Sequence, residues 1–126
     1  MEDGVNIDNI PDLWNIIEKE IITFDEEGKK QFNVPREETT NILDKPIIIW
    51  DWEIGITTSK SDNERDRYIL LASLKEKPKN KFKLILSSNY ILNILKKINE
   101  TDVTEFCATI VRVSLKSGKF TYKFKD

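Results

Sequence analysis

Histidine is absent from the 126-residue chain, and cysteine occurs once, at Cys107. Without histidine the commonest general base, the Ser–His and Cys–His dyads and the usual zinc ligand are all excluded. A single cysteine forms no internal disulfide and no cysteine-based zinc site, and within its strand Cys107 reads as an inert packed thiol. No apolar run, Ile47 to Trp50 included, approaches the ~20 residues that span a bilayer. The acidic start, Met1-Glu2-Asp3, lacks the basic and apolar stretches of a secretory signal. These absences predict a cytoplasmic protein with no membrane association, no cofactor, no metal and no enzymatic activity.

Charge is plentiful, at 33% of residues, but unevenly spread. Up to Asp44 there are 12 acidic and 4 basic residues, a sum of −8; from Lys45 onward 16 basic and 10 acidic give +6. The pattern predicts an acidic N-terminal arm, residues 1–44, joined to a basic binding body, residues 45–126. In the arm, residues 1–9 have little to bury. Asn9-Ile10-Pro11-Asp12 reads as a helix start, followed by Leu13, Trp14, Ile17 and Ile21 along one face. Asp25 to Lys30 forms a turn between Phe24 and Phe32 that closes a short hairpin. Residues 35–44 have no period and read as a connector.

Beyond Lys45 the pattern is strongly β. Ile48, Trp50, Trp52, Ile54 and Ile56 alternate along one long strand, with Asp51 and Glu53 opposite and Gly55 marking a bend or bulge. Thr58 to Asp66 is a loop. A second strand, Arg67 to Lys75, turns through Lys77-Pro78-Lys79-Asn80 into a third, where Phe82, Leu84 and Leu86 share a face. The period then becomes 3.6 for a helix over Tyr90 to Asn99, capped by Ser88 or Asn89, with Ile91, Ile94, Leu95 and Ile98 buried. Two more strands, Thr104 to Val113 and Lys119 to Lys125, are joined by Lys116-Ser117-Gly118.

This β-β-β-α-β-β order, with a glycine-broken first strand and a helix too short to cover a sheet, predicts a mostly β, five-stranded OB-type barrel, closed on itself and preceded by the acidic helical segment. The segments Ile47-Ile48-Ile49-Trp50-Asp51-Trp52, Lys81-Phe82-Lys83-Leu84-Ile85-Leu86 and Phe106 through Phe124 resemble the OB-fold single-stranded nucleic-acid-binding proteins. The likeness is to the small, divergent ones of phages and mobile elements. It implies a sequence-independent single-stranded DNA-binding accessory protein (RNA offers the same chemistry) used in replication or recombination. The commonest bacterial form carries its acidic tail at the C-terminus, whereas here the acidic region is N-terminal. The alternative reading is an adaptor or inhibitor that meets a protein partner through that region.

Single-strand binding needs cations for phosphates and ring faces for bases. The candidate cations are Arg65, Arg67, Lys75, Lys81, Lys83, Lys116, Lys119 and Lys123. Trp52, Tyr68 and Tyr122, near strand ends, are the candidate stacking rings, while Trp50, Phe82 and Phe120 share faces with aliphatic residues and read as core. Asp51 and Glu53 are a carboxylate pair without the companions that a metal site requires.

Overall fold

A computed structural model describes residues 21–56 and 67–126. The helix predicted from Asn9, the loop 57–66 and Arg65 lie outside them. The chain divides into two compact units, residues 1–33 and 34–126. Residues 35–44, read from the sequence as a connector, therefore belong to the unit that carries the main sheet.

In the first unit, β1 (Ile22–Phe24) and β2 (Lys30–Phe32) pair antiparallel. Asp25 builds their turn: its Oδ1 accepts the Glu27 and Lys29 N–H groups at 2.9 Å each. A short acceptor side chain at the head of a turn satisfies amides that the ladder cannot reach.

The second unit is mostly β. Strands β3 (Pro46–Ile56), β4 (Arg67–Leu74), β5 (Phe82–Leu86), β6 (Phe106–Ser114) and β7 (Phe120–Phe124) form one curled sheet in the order β5-β4-β3-β6-β7, every pair antiparallel. One helix, α1 (Asn89–Ile98), connects β5 to β6. The curl does not close: no ladder joins β5 to β7, which corrects the expected closed barrel. The β5 edge is partly taken already. Lys83 N–H donates to the Pro35 carbonyl and Glu37 N–H to the Lys83 carbonyl, both at 2.9 Å, in a parallel bridge at Arg36. The chain then leaves this edge through a 3-10 turn, Thr39–Asn41.

The long strand β3 also departs from the simple alternation. Its register against β4 shifts between Ile49 and Asp51, and again between Ile54 and Ile56. The extra residue at Trp50 reverses the facing of everything before it. Ile47 and Ile49 are buried in the core together with Trp52, while Ile48 and Trp50 turn to the outer face. Gly55, at φ +87°, makes the second bulge, in a conformation that a Cβ disfavours.

The core gathers the inner faces of all five strands, with Tyr68, Leu70, Ala72, Phe82, Leu84 and Ile110 at its centre. Ile91, Leu92 and Leu95 of α1 pack into this core, and Ile42, ahead of β3, is buried in it too. Ser88 stands at the helix N-cap but makes no cap bond with its side chain. Its hydroxyl instead donates to the Tyr122 carbonyl of β7, and its carbonyl accepts the Tyr68 phenol at 2.9 Å and Leu92 N–H at 3.1 Å. One residue thereby ties β4, α1 and β7. At the other end of α1, Trp52 Nε1 donates to Asn99 Oδ1 at 2.9 Å. No helix among the described residues is long and apolar enough to cross a membrane.

Candidate functional site

Two surfaces of the second unit carry chemistry. The first is the β4–β5 hairpin. Between residues 67 and 86 the sequence places Arg67, Lys75, Lys77, Lys79, Lys81 and Lys83 against Glu76 alone, a formal charge of +5. Strand alternation puts Phe82 and Leu84 into the core and leaves Lys81 and Lys83 half-buried on the outer face. The bulge brings Trp50 to that same face. Its indole N–H donates to Ser73 Oγ at 2.9 Å, and Lys81 Nζ lies 4.8 Å from the ring centroid. Lys75, exposed beyond the end of β4, borders with Lys45, Pro46, Leu74 and Glu76 a hollow of about 470 Å³.

The second surface is a cleft of about 1000 Å³ where the sheet fails to close. One bank is formed by Ile85, Leu86 and Ser87, the other by Phe120, Thr121 and Tyr122. Tyr90, Leu92 and Leu115 add apolar surface, and the lining cations Arg36 and Lys119 are matched by Glu37 and Glu38, so the formal charges cancel. Of the large hydrophobic side chains exposed among the described residues of this unit, Tyr90 (54%), Leu115 and Phe120 (53%) line the cleft, and only Val103 lies elsewhere. Phe120 and Tyr122 meet edge to face at 5.6 Å, and the Arg112 guanidinium sits 5.2 Å from the Phe120 centroid.

The stacking candidates need correction. Trp52 is only 7% exposed, held by Asn99 and set edge to face against Phe106 at 5.6 Å. Tyr68 is fully buried, its phenol fixed on Ser88; burial pushes its ionisation well above the ordinary tyrosine range, against the weaker lowering effect of those hydrogen bonds. Neither ring can receive a base. Tyr122 is half-buried and reaches the cleft. Of the candidate cations, Arg67, Lys75, Lys81 and Lys83 belong to the β4–β5 surface. Lys116, Lys119 and Lys123 belong to the β6–β7 hairpin at the far end of the strand order, where Lys123 pairs with Asp126 at 3.8 Å. The candidates thus fall into two groups rather than one groove.

The sequence reading missed three rings. Phe120 shares the inner parity of Tyr122 and Phe124, but it sits where the hairpin runs past the core and is therefore exposed. Tyr90 lies off the Ile91, Leu92, Leu95 stripe, a signal that was available. Trp50 is displaced by a bulge that no residue type announces. Cys107 is exposed rather than packed, because it takes the outer face opposite Ile48. Asp51 Oδ1 accepts the Trp52 N–H at 2.8 Å, and no group of histidine, cysteine and carboxylate residues able to hold a metal occurs among the described residues.

Residues 33–125 match the family model of a domain of unknown function, DUF8468. Neither a search of curated proteins nor one of solved structures finds a match.

Proposed function

This chain belongs to the domain of unknown function DUF8468, and we propose that it binds single-stranded nucleic acid, without sequence preference, on the outer wall of its β4–β5 hairpin. In this reading the curled sheet is an OB-type barrel left open between β5 and β7. The observation that carries the proposal is the hairpin's +5 charge beside an outward-turned indole. Lysines spaced along a strand and its turn track phosphates, and a ring face accepts bases irrespective of their identity. Arg67, Lys75, Lys81 and Lys83 would contact phosphates, and a base would displace Lys81 from Trp50. The acidic pI of 5.3 belongs to the whole chain, whose first 44 residues hold the excess of acid.

The test is an anisotropy titration of labelled oligo(dT) at 50 and 200 mM salt. Four phosphate contacts predict an affinity loss on the order of 50-fold between the two, from a slope of about −0.7 per phosphate. Lys81→Glu/Lys83→Glu should abolish binding at the higher salt, and Trp50→Phe should remove most of the tryptophan quenching. Absence of saturable binding at 50 mM salt would refute the proposal.

A further inference from the structure

The banks of the cleft are strand edges, and their backbone groups can be assigned by alternation. In an antiparallel ladder successive residues turn their N–H and C=O alternately toward and away from the neighbouring strand. On β5, Lys83 directs both groups away from β4, since they bond Glu37 and Pro35. Ile85, two residues on, directs its own groups the same way, into the cleft. On β7, the Leu115–Lys119 bond (2.7 Å) and the Lys125–Thr109 bond (2.7 Å) mark pairs that face β6. Phe120 and Tyr122 therefore face away from β6, as the Ser88 bond to the Tyr122 carbonyl shows independently. No described residue hydrogen-bonds the backbone of Ile85 or Phe120.

We propose that this cleft takes an extended peptide segment of a partner protein as an added strand, bonded to Ile85 on one bank and to Phe120 on the other, short of the Ser88–Tyr122 bond, which closes the sheet into a barrel. The β5 edge already accepts such an addition from residues 35–37 at Lys83, and the continuation of that segment through Glu38, Thr39 and Thr40 lines the cleft without bonding Ile85. Since every neighbouring pair is antiparallel, β5 and β7 share one direction in the strand order, so one inserted strand can pair in the same sense with both. Backbone bonds supply affinity in this mode and alternate side chains supply selectivity. Leu92, Tyr90, Tyr122 and Phe120 ask for apolar residues at alternate positions. Arg36 and Lys119 are offset by Glu37 and Glu38, which favours an uncharged peptide over a polyanion. This site is separate from the cationic wall proposed for nucleic acid.

The probe is a synthetic peptide chosen by display of random dodecamers on the full chain. The expected result is a saturable binder that slows amide exchange at Ile85 and Phe120 at least tenfold. Ile85→Ala keeps the edge amide and should retain binding; Ile85→Pro removes an amide that β4 does not use and should weaken it at least tenfold. If Ile85→Pro does not fold, N-methylation of the peptide serves instead, and losses should recur at every second residue. Lys81→Glu/Lys83→Glu should leave peptide affinity unchanged, which separates this inference from the nucleic-acid reading. A library without a saturable binder, or binding with unaltered Ile85 and Phe120 exchange, overturns it. So does equal loss in both Ile85 variants, competition by oligo(dT), or a dimer that Ile85→Pro dissociates in place of peptide binding.

Discussion

Tyr68 and Ser88 show how much of this unit hangs on a few polar atoms. A buried phenol is tolerated because the Ser88 carbonyl accepts its proton. Tyr68→Phe loses that bond at nearly constant shape and should cost about 1 kcal/mol in urea unfolding. The same substitution has a signature in pH. The unfolded chain releases this proton near pH 10, whereas burial keeps it on the folded protein to higher pH. Tyr68 thus contributes its full stability below pH 10. Above pH 10 stability falls by roughly 1.4 kcal/mol per pH unit from this group. Unfolding of the wild type and Tyr68→Phe between pH 9 and 11 should show that slope only in the wild type.

At the scale of the element, β3 decides which side chains meet the core. Two register shifts let one strand of eleven residues bend and pair with β4 along its length and with β6 near its start. Uninterrupted alternation would bury Ile48 with Trp52. The bulge at Trp50 buries Ile47 and Ile49 instead. Paired alanine substitutions separate the two: Ile47→Ala should cost about 2–5 kcal/mol, the range for emptying a core site, and Ile48→Ala markedly less. Equal losses in thermal or urea unfolding would contradict the bulged register.

For the whole molecule the decisive boundary is Val34. Residues 35–37 pair with the β5 edge, Asp44 N–H bonds the Ile110 carbonyl at 2.9 Å, and Ile42 is a core residue. A chain beginning at residue 34 should fold cooperatively. One beginning at residue 45 loses a buried isoleucine and an edge cover, and should be destabilised by at least 2 kcal/mol. Circular dichroism with urea titration of the two truncations checks this. A folded 45–126 fragment of full stability would place the boundary where charge alone puts it.

The order of elements along the chain, the helix position and the turns were legible in the sequence, since hydrophobic period and turn chemistry are local properties. Phe82, Leu84 and Leu86 alternate without interruption and went to the core; Lys116-Ser117-Gly118 closes β6 onto β7, with Gly118 at φ +82°. Charge division was legible too, but not that the candidate cations part into two groups, on β4–β5 and on β6–β7. What tertiary structure alone decided were long-range matters. A bulge is a mismatch in length between paired strands, so the outward turn of Trp50 cannot be read from β3 by itself. Closure was decided by the pairing of distant segments: β5 pairs with β4 and, at Lys83, with residues 35–37, and not with β7. Exposure of Phe120, and burial of Trp52 and Tyr68, depended on where α1 and the ends of the sheet lie. The sequence by itself determined the elements and their order along the chain; the cleft between β5 and β7 was decided by tertiary structure, because pairing between distant strand edges is not a local property.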